Sequence, residues 1–215
     1  MNFPDDLSRI EWVDISRPLG PGAPVWPGDA PTRFEVARHS SKDLDIVTTT
    51  LRMSLHAGTH LDAPCHFLAD GMTIDRFPVP LVLGSALVVD AAGVSSIGPE
   101  ILPPLGSGRR ILFRTTVAPP ETSFPEHYAF IEPEAAARLR DAGAALVGLD
   151  APSVDPFDST DYPAHRILLG GGIFLLENLR LDHVSPGEYL LLLAPLPLQG
   201  AEASPVRPFL GRIYR

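Results

Sequence analysis

Between His56 and His66 the chain reads H-A-G-T-H-L-D-A-P-C-H, so three of its seven histidines and one carboxylate fall within eleven residues. Imidazoles and a carboxylate in the pattern H-x3-H-x-D-x3-H form the donor set that a borderline divalent ion such as zinc, manganese or cobalt takes. Such spacing suits a metal site.

The neighbouring sequence shows how these side chains would be aimed. From Asp45 to His56 the chain alternates, with Val47, Thr49, Leu51, Met53 and Leu55 on one side and Thr48, Thr50, Arg52, Ser54 and His56 on the other. That period of two predicts a half-buried strand with His56 leaving on its polar face. Gly58 permits a turn. A second extended piece then carries His60, Asp62, Pro64 and His66 on one side, with Leu61 and Ala63 opposite. Three unrelated histidines on a polar face would not require this agreement between spacing and apolar partners.

The segment resembles the HxGTHxDxPxH signature of the cyclase and kynurenine formamidase superfamily, metal-dependent hydrolases of amide and related bonds. Further pieces are similar to that family in the same order: V-W-P-G-D at Val25 to Asp29, G-L-D-A-P-S-V-D at Gly148 to Asp155, then His165, Glu177 and A-S-P-V-R at Ala203 to Arg207. The resemblance implies an α/β fold of the swivelling β/β/α type. It also implies a first metal on His56, His60 and Asp62, and a second on Asp62, His165 and Glu177. Two zinc ions per chain follow, with manganese as the other candidate. His66 is implied to serve acid–base catalysis. Amide hydrolysis needs such a group, because a departing amine must be given a proton.

Read on its own residues, Glu177 ends the apolar strand Ile173 to Leu176, and a charge there needs either a metal or an arginine partner. His165 arrives at the end of a carboxylate-rich loop that starts after Asp150. Trp26 lies in a loop punctuated by proline and glycine. It is either a plug that pins the loop or an aromatic wall of a pocket, and the resemblance implies that it touches substrate. Two other nucleophile arrangements are weaker. Cys65 and His66 point to opposite sides of an extended segment, and Ser153, Asp158 and His165 lack the G-x-S-x-G elbow that exposes a catalytic serine.

Composition limits the alternatives. A chain of 215 residues, 45% of them hydrophobic, suits one domain over 1–215. Net charge is −9 and Lys42 is the only lysine, which argues against a nucleic-acid partner. The N-terminal M-N-F-P-D-D-L is unlike a signal peptide, and no apolar run is long enough to span a bilayer, so a cytoplasmic protein is expected. A lone cysteine, Cys65, suits a reducing compartment.

The remaining elements read as strands at Glu11 to Ser16, Thr32 to Arg38, Ser85 to Asp90, Arg109 to Arg114 and Ala145 to Leu149. A helix is expected over Glu132 to Ala142, with Pro133 in its first turn and Gly143 as its stop. This mixture points to a mixed α/β domain. The functional expectation is a hydrolase of a small aromatic amide, converting N-formyl-kynurenine to kynurenine and formate in tryptophan catabolism. An isatin or cyclic-amide hydrolase is the alternative within the superfamily, and a non-catalytic metal- or small-molecule-binding module is the alternative outside it. The family further implies a homodimer. The apolar stretch Leu190 to Leu198 offers a surface for it if it is not simply a core strand.

Overall fold

The computed structural model describes residues 10–115 and 123–213, which leaves the Met1 to Leu7 stretch outside the described residues. The strands are β1 (Ile10–Asp14), β2 (Arg33–Ser41), β3 (Leu44–Arg52), β4 (His60–Asp62), β5 (Leu83–Asp90), β6 (Ser96–Ile97), β7 (Arg110–Arg114), β8 (Phe130–Ile131), β9 (Leu146–Leu149), β10 (Phe174–Glu177), β11 (Gly187–Leu192), β12 (Ala203–Pro205) and β13 (Phe209–Ile213). Two α-helices join them, α1 (Pro133–Asp141) and α2 (Pro163–Gly170). Nine strands form one sheet in the order β1-β13-β11-β5-β7-β9-β10-β4-β12. The middle four, β5, β7, β9 and β10, run parallel, and antiparallel strands extend the sheet on both sides.

Parallel strands need a crossover between them, and helices supply two of the crossovers here. α1 starts at Pro133, whose fixed φ suits a first helical position. It buries Ala135, Ala136 and Leu139 and leads into β9. α2 buries Ala164, His165, Leu168 and Leu169 and leads into β10. Both helices pack on one face of the sheet, against Ile111, Phe113, Val147, Leu149 and Leu175. The opposite face carries Leu61, Leu112, Leu146, Phe174, Leu176 and Leu191, covered by Ile74, Leu181 and Val184.

Four expectations need correction. The strand read from Asp45 to His56 ends at Arg52, so His56 lies in the turn beyond it rather than on the strand. The piece read as extended from His60 to His66 is a strand only through Asp62, and Pro64–His66 is a turn of 3-10 helix. Proline favours that tightening, because it fits the first turn of a helix and donates no hydrogen bond to a ladder. The loop read as delivering His165 ends in α2, whose two turns are too short to show a clear apolar period. Finally, the strand read as half-buried is exposed at every position, as is its partner β2.

The stretch from Leu190 is core rather than surface. β11 lies between β13 and β5, with Leu190, Leu191 and Leu193 buried. From Ala194 the run reaches the outside, and Leu196 is exposed.

Candidate metal centre

The pairing of β4 with β10 builds the centre. In that register Glu177 lies opposite His60, and Leu61 opposite Leu176. Because side chains alternate along each strand, His60, Asp62 and Glu177 face the helical side while Leu61 and Leu176 enter the core behind. Gly58, at φ 67°, makes the turn that starts β4. Gly71 lets the chain pass the Pro64–His66 turn, since a Cβ there would lie 2.5 Å from the Cys65 amide nitrogen.

Around Asp62 the nitrogens gather closely. His56 Nδ1 lies 3.1 Å and His60 Nε2 3.4 Å from Oδ1, and His165 Nε2 lies 3.8 Å from Oδ2. Glu177 sits beside them, with Oε2 3.4 Å from His60 Nε2 and Oε1 3.5 Å from His165 Nε2. None of these approaches is aligned as a hydrogen bond at Asp62, whose two oxygens, like His60 Nε2, are buried without one among the described residues. Burying such atoms unpaired is costly. A divalent cation fits, since it would take up those oxygens and that nitrogen together. Two groups have ligand atoms within 4.8 Å of one another, His56 with Asp62 and His66, and His60 with Asp62 and Glu177. Five of the six expected residues fall in these two groups among the described residues, and His165 stands beside them, 3.8 Å from Asp62 and 3.5 Å from Glu177.

Several ring orientations are set from behind. His60 Nδ1 donates to the Gly58 carbonyl at 2.9 Å, which leaves Nε2 bare toward Asp62. Glu177 Oε1 accepts the Val154 amide at 2.8 Å. Asn178 follows in the left-handed region at φ 57°, its amide donating to Ala151 and its carbonyl accepting from Thr59 Oγ1.

The charges respond to this crowding. Burial opposes a proton on His56, but the Asp62, Glu177 and Glu202 carboxylates outweigh it and raise the pKa to about 9. His165 is likewise opposed by burial and raised to about 10 by Asp155, Asp62 and Glu177. Asp62 is held well below the usual carboxylate range, burial being overcome by the imidazoles of His56, His60 and His165. His66 goes the other way, because burial lowers its pKa and Asp62 does not make up the difference.

The centre opens into a cavity of about 950 Å³. Trp26 lines it and packs against Phe124 and Phe157 at 5.1 and 5.4 Å between ring centroids. Phe67, also on the wall, stacks on His165 at 4.6 Å. Trp26 is therefore both the plug and the wall. The sequence did not single out Phe67, Phe124 or Tyr162, aromatic side chains whose place on the pocket wall only the fold shows. Asp150, just beyond β9, accepts from the Thr115 amide and hydroxyl instead of entering the centre. His165 bonds Asp155 and not Asp158, so the serine arrangement does not form. Cys65 is turned away from the cavity, its thiol donating to the Ala201 carbonyl at 3.6 Å.

Residues 13–156 match the family model Cyclase, described as "Putative cyclase". The chain belongs to that family. A kynurenine formamidase from Salinibacter ruber is 43% identical over 203 residues, covering 92% of this chain and 96% of its own. The structure of a predicted metal-dependent hydrolase from Bacillus stearothermophilus superposes with a TM-score of 0.81 at 27% identity, over 94% of this chain and 98% of that one. An isatin hydrolase A from Labrenzia aggregata shares the fold, with a TM-score of 0.82 at 24% identity over 96% of this chain and 95% of that one.

Proposed function

We propose that the protein is a metal-dependent hydrolase of a small aromatic amide, and that it converts N-formyl-kynurenine to kynurenine and formate. The observation that carries the reading is the buried Asp62, without an aligned hydrogen bond among the described residues, ringed by three imidazoles and Glu177 at the floor of an aromatic-walled cavity. His56, His60, Asp62, His165 and Glu177 would hold the metal, which we read as two zinc ions per chain. When bound, the metal supplies a water of lowered pKa and positive charge against the developing oxyanion.

The protein's own groups do the rest. Trp26 and Phe124 hold the aromatic ring of the substrate. His66 lies at the mouth of the centre, its ring 4.4 Å from that of His56. With its pKa lowered by burial, it is neutral at pH 7 and free to take a proton. It accepts one from the attacking water and returns it to the aryl nitrogen as the formyl C–N bond breaks. Formate and the free amine leave. The identity with the Salinibacter ruber formamidase supports this substrate over a ring amide.

We read residues 1–215 as one domain, supported by the pairing of β1 with β13 across most of the chain's length. The working form is a homodimer in which β2 and β3 are covered by the second copy. A two-stranded sheet is marginal alone, and this one exposes Phe34, Val36, Val47 and Leu51. Among the described residues no helix is long and apolar enough to cross a membrane. The test is turnover of N-formyl-kynurenine, isatin and simple cyclic imides by the zinc-loaded protein. N-formyl-kynurenine should be preferred, and preference for isatin would overturn the substrate while leaving the metal chemistry in place.

A further inference from the structure

Of the carboxylates in the Asp150–Asp161 loop, Asp155 alone is 0% exposed and touches a residue of the centre. Its Oδ2 lies 2.7 Å from His165 Nδ1 and also accepts the His165 amide at 3.0 Å. Its Oδ1 accepts the Ala164 amide at 2.9 Å. These two amides belong to the first turn of α2, where the N-cap residue Tyr162 provides no side-chain cap. One carboxylate in the preceding loop therefore caps the helix and fixes the ring of the histidine that the helix carries.

The support behind Asp155 is equally defined. Its amide donates to Ser153 Oγ at 3.1 Å, and the Val154 carbonyl accepts from Ile131 in β8. The Val154 amide holds Glu177 Oε1. The tripeptide Ser153-Val154-Asp155 thus grips both His165 and Glu177, which come to the centre from different elements.

We infer that Asp155 is a positioning residue for metal binding: it keeps the proton of His165 on Nδ1, so that Nε2 faces Asp62 and Glu177 as a lone-pair donor. A ligating imidazole needs such a partner to fix its tautomer and rotation. The neighbouring Asp158 is exposed, and Asp161 bonds the Thr160 hydroxyl in an exposed pair. The inference rests on the proposed ligand role of His165 and not on any choice of substrate.

The experiment is a double-mutant cycle on the full chain, with Zn²⁺ affinity measured by competition with a chromophoric chelator. Asp155→Asn should weaken zinc binding about 10- to 100-fold, the usual range for losing such a partner. In a His165→Ala background the same change should cause no further loss. An equal loss in both backgrounds would mean that Asp155 acts only through the fold, as a helix cap. Unchanged affinity on His165→Ala alone, or on Asp155→Asn alone, would also overturn the inference. Should Asp155→Asn fail to fold, ¹⁵N spectra of zinc-loaded parent protein decide the matter. The expected pattern is a protonated His165 Nδ1 and a metal-bound Nε2, and the reverse tautomer or a doubly protonated ring would sink the proposal. Failure to hydrolyse N-formyl-kynurenine would overturn the substrate reading and leave these results untouched.

Discussion

Leu51 and Leu61 stand ten residues apart in strands of the same alternating kind, yet Leu51 is 51% exposed and Leu61 0%. Leu61 belongs to β4, which is paired on both edges, by β10 and by β12, and backed by a core from the same chain. Leu51 belongs to β3, which pairs only with β2, cross-strand to Phe34, itself 45% exposed. An alternating pattern reports that one face needs cover. It does not say whose atoms provide it. The two regions meet at the cavity, where Ser54, just beyond β3, donates to Asp29 at 2.6 Å and ties the base of the hairpin to the wall that includes Trp26.

The largest effects should come from the buried side of this comparison. His66→Ala should lower kcat by about 10²- to 10⁴-fold, the share of a general acid–base, with zinc content unchanged. Loss of zinc in that variant would instead make His66 a ligand. Glu177→Ala should reduce zinc from two per chain toward one, as read by elemental analysis of protein prepared without chelators. A parent value of one would remove the dinuclear reading.

The exposed side should respond through assembly. Phe34→Glu and Leu51→Glu touch little within their own chain, so each should leave the melting temperature of the monomer nearly unchanged. Each should weaken the dimer about tenfold or more, as expected for a buried apolar anchor. Light scattering across a dilution series, read beside specific activity, checks both. Variants that remain dimeric would move the interface elsewhere.

A smaller effect separates the metal-free from the loaded protein. His56 and His165, at about 9 and about 10, bind protons more tightly folded than unfolded. Their contribution is complete below an unfolded value near 6.5 and is lost as pH rises through 9 and 10. Melting in a chelator should therefore fall across that window. Zinc affinity should rise over the same range, because the ligands must shed those protons. The smallest change is expected for Cys65→Ser, whose thiol faces Ala201 and not the cavity, with nearly full activity retained.

How much of this was legible depended on how local each signal is. The first turn of the centre was readable because His56, His60, Asp62 and His66 are compressed into one segment whose glycine, proline and apolar partners agree. Glu177 was readable as a charge closing an apolar strand. The helix under His165 was not, since Pro163 and two turns of Ala, Ile and Leu after a run of Asp and Ser resemble a loop that happens to end in apolar residues. Asp155 was hidden for a different reason. It is one of several aspartates within twelve residues, and only the fold shows which of them is buried against a histidine. The exposure of β2 and β3 was unreadable in principle, because a single sequence does not state which alternating strand is covered by its own chain.

The register of β4 against β10 also decides whether the donors of the centre meet at all. With β10 held in place by β9, slipping β4 by one residue would turn Leu61 toward the cavity and carry His60 and Asp62 into the core, away from Glu177. A slipped chain would keep much of its secondary structure, but Glu177 and His165 would be left without the His60 and Asp62 donors. A cation that binds only the paired donors would therefore favour the correct register over compact alternatives, and metal supply during refolding would raise the yield of native protein.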